Sequence, residues 1–137
     1  HSSLTLEQTN NTNNECNFLD LTILIAQDSL STKLYNKTDD YNFRIRRYPH
    51  LPSHVHSRMA VNTMNGEIIR FARCCSKIDD FKERCSQLFT QYAHNGYGTD
   101  DNATNLFKIL CRYEFIRLKF SMQSIDNIRL FCRNLAI

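Results

Sequence analysis

Glycine and proline are scarce in this chain, and tryptophan is missing altogether: three Gly and two Pro occur among 137 residues. Turns favour both residues, so their scarcity argues against a loop-rich fold. No run is long and apolar enough to span a membrane, which takes about 20 such residues. The first residues, His-Ser-Ser, have no initiating Met and none of the features of a signal peptide. We therefore expect no membrane partner, and we expect either a processed chain or a piece of a longer protein.

The chain also lacks several short motifs that carry chemistry. It has no Gly-x-Ser-x-Gly, no glycine loop that could cradle phosphate, and no Cys-x-x-Cys pair. His50, His54 and His56 have no second ligand pair at zinc spacing, so they predict a histidine-containing loop rather than a metal site. Asp39-Asp40 is not preceded by a strand-turn-strand pattern that could present two carboxylates to metal ions. The pair therefore predicts a turn, and no catalytic residue or metal ligand is assigned.

The formal net charge is small, at +3. It permits contact with nucleic acid without requiring it, because local clustering of cations matters more than their total. Arginines and lysines do cluster along the chain, and tyrosines that could stack on bases or sugars lie between them.

Six cysteines allow two interpretations. An even count fits three disulfides in a secreted domain, and Asn-x-Ser/Thr sequons occur at Asn10 and Asn36 and at residue 102. However, Cys75, Cys85 and Cys132 fall on apolar helix faces, where a free thiol behaves as a small hydrophobe. We therefore expect reduced cysteines and an intracellular location, nuclear or cytoplasmic. The alternative is a secreted, disulfide-bonded helical protein that carries glycans.

Strand patterns dominate the first part of the chain. Residues 17–25 are the most apolar run, and a central strand is predicted over residues 18–26, with Leu19, Leu21, Ile23 and Ile25 on one face. Residues 32–37 are predicted to pair with it as an antiparallel hairpin. Residues 4–7 and 41–46 are predicted to form two further short strands.

A helical period begins at about residue 55. The first two predicted helices carry apolar faces that include Phe71 and Phe81, and Ser76 is predicted to cap the second of them. Asn95-Gly96 should end that helix in a left-handed conformation. A third helix is predicted to run through Leu118, and a fourth to start at Ser124. The sequence thus predicts an α+β fold, with short antiparallel strands in residues 1–53 followed by a bundle of about four helices in residues 54–137.

The order of several motifs resembles a known family. Each is weak alone, but their order and spacing together are fairly specific; they are Leu-Thr-Leu-Glu at 4–7, Phe-Leu-Asp-Leu at 18–21, Thr-Lys-Leu-Tyr-Asn-Lys at 32–37, Tyr-Pro-His at 48–50, Ile-Arg-Phe-Ala-Arg-Cys-Cys-Ser at 69–76, Asp-Phe at 80–81 and Asn-Gly-Tyr at 95–97. In this order they resemble the part of a retroelement-type reverse transcriptase that follows its catalytic Asp-Asp loop. That part consists of the edge of the palm followed by a helical thumb.

The resemblance implies a function and a set of site residues. The parent protein would be an RNA-directed DNA polymerase that uses Mg²⁺, with its metal-binding Asp pair, palm and fingers upstream of residue 1. The partner of this chain would be an RNA–DNA hybrid or another duplex. The resemblance implies a primer-gripping region at Phe18, Leu19, Asp20, Leu21, Lys33 and Lys37. The cations expected to contact the duplex backbone are Arg44, Arg46, Arg47, Arg70, Arg73 and Lys77.

With the catalytic carboxylates upstream, this chain should be inactive as a polymerase by itself. One alternative to a polymerase fragment is a domesticated, non-catalytic helical module that binds nucleic acid or protein. The other is the secreted protein described above.

Overall fold

The computed structural model describes residues 3–8, 10, 12–43, 45 and 47–136. A three-stranded antiparallel sheet is followed by helices, which confirms the predicted α+β class. The strands are β1 (Glu15–Phe18), β2 (Leu21–Ala26) and β3 (Ser29–Leu34), and a short 3-10 turn follows at Lys37–Asp40. The helices are α1 (Ser57–Cys74), α2 (Ile78–His94), α3 (Thr99–Arg112), the short α4 (Glu114–Lys119) and α5 (Ile125–Ala136).

The predicted strand 18–26 is in fact broken by a turn. Phe18 ends β1 and pairs directly with Leu21 at the start of β2, so Leu19 and Asp20 form the two-residue connection. Leu19 has a positive φ of 54°, a conformation that such tight hairpins require. The turn puts Phe18 on the same face as Leu21, whereas an unbroken strand would have put it on the opposite face. The chain forms a hairpin here instead of one long strand, because the hairpin lets the backbone N–H and C=O groups of β1 and β2 bond to each other.

Two other strand predictions are wrong. Residues 4–7 form no strand, and neither do the described residues of 41–46, while Arg44 and Arg46 lie outside the described part of the chain. Tyr41 and Phe43 instead stack on each other, with ring centroids 5.4 Å apart. The alternation of apolar and polar side chains is a weak signal here, because a strand also needs a neighbour to pair with. The second strand of the predicted hairpin, residues 32–37, also differs from the structure. Strand β3 ends at Leu34, and Lys37 begins the 3-10 turn.

The helical core follows the predicted faces closely. In α1 and α2 the apolar period buries one side of each helix. Phe81 is completely buried and stacks on Phe120, with the centroids 4.8 Å apart, and its ring is nearly parallel to that of Phe131. Leu34 at the end of β3 is buried in the same cluster, so the core joins the sheet to the helices. The other core members include Ala60, Met64, Ile68, Phe71, Ala72, Cys75, Cys85, Leu88, Tyr92, Leu106, Leu110, Ile116, Ile128 and Cys132.

The ends of the helices agree with the sequence at some points and not at others. Gly96 has a φ of 95° after α2, as predicted. The backbone N–H of Asn127 donates to the hydroxyl of Ser124 at 3.1 Å, which confirms the predicted start of α5. The predicted third helix, however, is divided at Tyr113 into α3 and α4. There the guanidinium of Arg117 donates to the carbonyl of Leu110, at 2.8 Å, so a side chain satisfies an acceptor that α3 leaves open.

Within the described residues, no helix combines the length and the apolar character needed to cross a membrane.

Candidate nucleic-acid interface

Strand β3 is hydrogen-bonded to the segment that links α1 and α2. The hydroxyl of Ser76 accepts from the backbone N–H of Thr32 at 3.0 Å and donates to its carbonyl at 3.1 Å. The hydroxyl of Thr32 in turn donates to the carbonyl of Cys74 at 2.7 Å. Ser76 was predicted to cap α2, but Lys77 is the capping residue and makes no side-chain bond there. The hydroxyl of Ser76 is engaged by the sheet, so the hairpin is fixed to the helices.

Three cations lie around this linker, and we call them the junction surface: Arg73, Lys77 and Lys119. Arg73 and Lys77 are exposed. The ammonium of Lys119 donates to the carbonyl of Ala72 at 2.7 Å and to that of Arg73 at 3.3 Å, so it compensates the C-terminal end of α1. Among the described residues, no carboxylate oxygen lies within 4.0 Å of the side-chain nitrogens of these three residues. None of the three cations of the junction surface is therefore neutralised by a direct ion pair with a described residue.

Arg70 was predicted to contact nucleic acid together with Arg73, but its charge is already compensated. One terminal nitrogen lies 2.8 Å from a carboxylate oxygen of Glu67, and the other lies 3.5 Å from one of Asp20. The Nε atom of Arg70 is buried and has no hydrogen-bond partner. Arg70 therefore ties the turn between β1 and β2 to α1, and it has less charge to offer to a phosphate than Arg73 has.

Of the remaining predicted cations, Arg47 is the one in the described part of the chain. Arg47 is exposed and lines a narrow polar cleft of about 30 Å³ beside Tyr48 and Glu67. Burial is the main reason that the pKa of Tyr48 is raised, and the nearby Glu67 carboxylate adds to it. Arg44 and Arg46 lie outside the described residues.

The primer-gripping residues implied by the resemblance divide between the two faces of the sheet. Phe18 and Leu19 are 64% and 80% exposed at one end of the hairpin, close to Asp20 and the half-buried Leu21. Lys33 pairs with Thr22 in the register, so it lies on the face opposite to Leu21 and Phe18. The hairpin therefore does not bring the whole predicted set together.

A polar cleft of about 460 Å³ is lined by Lys37, another of the predicted primer-gripping residues. Tyr35 lines it as well, and the other lining residues are Asn10, Thr12, Glu15, Cys16 and Asn17. Volumes of this order are typical of small-ligand sites, although those sites are mostly lined by apolar side chains. This cleft is predominantly polar, so it fits a polar group better than an apolar one.

Asp39 and Asp40 are separated by their contacts. A carboxylate oxygen of Asp39 lies 2.8 Å from a terminal nitrogen of Arg84, and a carboxylate oxygen of Asp40 accepts from the hydroxyl of Tyr35 at 2.7 Å. The hydrogen bond to Asp40 keeps the hydroxyl of Tyr35 protonated, and it is the main reason that the pKa of Tyr35 is raised. The two carboxylates thus have structural partners in a 3-10 turn, as the prediction of a turn implies.

The histidines predicted to lie in a loop are exposed, and His56 caps α1. Its Nδ1 accepts a hydrogen bond from the backbone N–H of Arg58 at 3.1 Å. Within the part of the chain that the structure describes, no group of three or more His, Cys, Asp or Glu side chains is placed to hold a metal ion.

Sequence reasoning missed the aromatic residues beside the junction surface. The guanidinium of Arg73 lies over the ring of Phe115 at 5.9 Å, and that of Arg112 lies over the ring of Tyr113 at 5.7 Å. Residues 112–115 alternate basic or acidic with aromatic side chains, and this was the available signal. Comparisons with protein-family models, with curated proteins and with solved structures found no match to this chain.

Proposed function

We propose that the chain is the palm edge and thumb of a retroelement-type reverse transcriptase and that it grips a template–primer duplex by its backbone. The motif order described above supports this origin, and a small sheet followed by helices is the architecture that it implies. In the parent protein the reaction would be RNA-templated DNA synthesis with Mg²⁺. The metal-binding carboxylates would come from the upstream palm, so this chain would hold nucleic acid without extending it.

The observation that carries the proposal is the attachment of the hairpin to the junction surface. The bonds between Thr32 and Ser76 fix β3 directly beside Arg73 and Lys77. A duplex bound at these cations would therefore have a fixed position relative to the hairpin. A primer-holding region needs this property, because reacting groups must be positioned within a fraction of an ångström.

The chemistry of the junction surface suits phosphate. Guanidinium groups match phosphate oxygens with a planar fork, and ammonium groups act as point charges. Such contacts fix position and carry no sequence information, so binding should be independent of sequence. Each phosphate contact releases condensed counterions, and for a duplex the slope of log affinity against log salt changes by about 0.9 per contact.

The test is a salt titration of binding to a labelled RNA–DNA hybrid. We expect weak, sequence-independent binding that falls with salt. Replacing Arg73 and Lys77 together by Gln should flatten the slope by up to about two units, because two phosphate contacts are lost. Arg70→Gln should flatten it less than Arg73→Gln, since Glu67 and Asp20 already compensate the charge of Arg70.

Arg58→Gln is the matched control. Arg58 is an exposed cation near the start of α1, about 22 Å from Arg73 along the helix axis at 1.5 Å per residue. This change removes one charge without touching the junction, so the slope should hardly change. Salt-independent binding, or an equal loss of slope in Arg58→Gln and Arg73→Gln, would contradict a localised grip. Primer extension by the purified chain with Mg²⁺ would contradict the placement of the catalytic carboxylates upstream.

A further inference from the structure

The corner where α3 meets α4 carries two aromatic rings between two guanidinium groups. We define Arg73, Arg112, Tyr113 and Phe115 as the corner cluster. We propose that the corner cluster binds single-stranded nucleic acid by stacking its bases, which goes beyond the duplex grip and does not depend on it.

The four side chains form a continuous row. The guanidinium of Arg112 lies 5.7 Å from the centre of the Tyr113 ring. The rings of Tyr113 and Phe115 meet edge to face, with centroids 6.1 Å apart and an interplanar angle of 72°. The guanidinium of Arg73 lies 5.9 Å from the centre of the Phe115 ring. Two adjacent rings therefore lie between two cations, and the row joins the end of α1, the end of α3 and the start of α4.

The row is accessible, and neither of its guanidinium groups is in a direct ion pair with a described residue. Phe115 is 38% exposed, Arg73 and Arg112 are exposed, and Tyr113 is half-buried. In the described part of the chain, no carboxylate oxygen lies within 4.0 Å of either guanidinium. A guanidinium over a ring is itself a flat, cationic surface on which a base can stack.

These features select a single strand over a duplex. In a duplex the faces of the bases are covered by their neighbours in the stack, so aromatic side chains have little to contact outside the grooves. In a single strand the faces are free, and stacking on an aromatic side chain is tolerant of sequence. A purely cationic surface would serve either form of nucleic acid, whereas two adjacent rings with a cation at each end are suited to the exposed bases and phosphates of a single strand.

The test uses a fluorescently labelled oligothymidylate of about 12 nucleotides, a length within the usual site sizes for single strands. Phe115→Leu removes the aromatic face and keeps an apolar side chain of similar bulk. We expect it to weaken binding of the oligothymidylate by at least about fivefold, since stacking contributes at least about 1 kcal/mol per base. The slope against salt and the affinity for a duplex of equal length should be unchanged, because no cation is lost.

Two further variants separate stacking from general damage to α4. Phe115→Tyr keeps the ring face and should bind the oligothymidylate as the parent does. Leu118→Ala changes a different side chain of α4, and Leu118 is 72% exposed. This change should leave binding unchanged. If circular dichroism shows that Phe115→Leu does not fold, Arg112→Gln decides instead. It should lower the single-strand salt slope by about 0.7, the value for one phosphate contact.

Arg73 is not changed in this experiment, because it also belongs to the junction surface. The outcomes for the two surfaces are therefore distinguishable: loss of duplex binding in the junction variants tests the grip, and loss of single-strand binding in Phe115→Leu tests the corner cluster. The inference is overturned if the parent does not bind oligothymidylate at low salt, or if folded Phe115→Leu binds it as tightly as the parent. Equal weakening of single-strand and duplex binding would also overturn it.

Discussion

The cysteines show how burial controls chemistry at the scale of a residue. All six are free thiols in the structure; Cys75, Cys85 and Cys132 are buried, whereas Cys111 is exposed. Burial raises the pKa of the Cys132 thiol to about 12 and that of Cys85 well above its ordinary value, because the thiolate would lose its hydration. The thiolate is the reactive form, so these buried groups should be inert at neutral pH in the folded protein.

Alkylation without reductant tests these assignments. In the folded protein at pH 8 we expect Cys111 to react first and the three buried cysteines to be protected, because both access and ionisation are restricted. After unfolding in denaturant, mass spectrometry should show six labels on every chain, in accord with six free thiols.

A smaller number of labels would contradict the prediction of six free thiols. If unfolded but unreduced chains carry two labels or none instead of six, two or three pairs of cysteines are oxidised. That outcome would favour the secreted, disulfide-bonded alternative over an intracellular protein.

At the scale of an element, the attachment of the hairpin to the helices depends on few bonds. Ser76 uses one hydroxyl both to donate to and to accept from the backbone of Thr32, and Thr32 returns a bond to the carbonyl of Cys74. The end of β3 is also anchored by Leu34, whose carbonyl accepts from a terminal nitrogen of Arg84 at 2.9 Å. The linker residue Ser76, the carbonyl of Cys74 in α1 and the side chain of Arg84 in α2 thus hold one strand.

We expect Ser76→Ala to destabilise the protein by about 1–2 kcal/mol, because the two bonds of the exposed hydroxyl are lost. The backbone N–H of Ser76 still donates to the carbonyl of Thr32 in the variant. Amide hydrogen exchange should become faster in β3 and remain slow in the centre of α2, because the bond is to the sheet. If the hydroxyl capped α2 instead, protection would be lost in its first turn and β3 would be unaffected. Ser86→Ala is the matched control, since Ser86 is exposed within α2.

At the scale of the whole molecule, one cluster of side chains holds the helices and the sheet together. Phe81 is at its centre, with Phe120 and Phe131 stacked around it from other parts of the chain. Leu34 connects the same cluster to β3. Loss of the central ring should therefore weaken packing between several elements at once.

We expect Phe81→Ala to destabilise the protein by about 3–5 kcal/mol, as truncations of fully buried aromatic residues do. Denaturant melts of the parent and the variant measure the difference. Phe43→Ala, at a ring that is 66% exposed, should cost less than about 1 kcal/mol and serves as the control. A cost below about 1 kcal/mol for Phe81→Ala would mean that this face of α2 does not pack as described.

The helical part of the fold was largely determined by the sequence. The buried positions of α2, including Phe81, Cys85 and Leu88, follow the helical period, and Gly96 ends the helix as its conformational freedom suggests. These features are local, since they depend on residues within a few positions of one another. The α+β class and the order of a sheet followed by helices follow from the same local signals.

Contacts between distant residues were decided only by the tertiary structure. The turn at Leu19 depends on the pairing of β1 with β2, and the role of Ser76 depends on a strand more than forty residues away. The same holds for the candidate site, where Asp20 compensates the charge of Arg70 and leaves Arg73 as the more available cation. A sequence pattern records which side chains are polar or charged, but hydrogen bonds and ion pairs depend on distances that only folding sets.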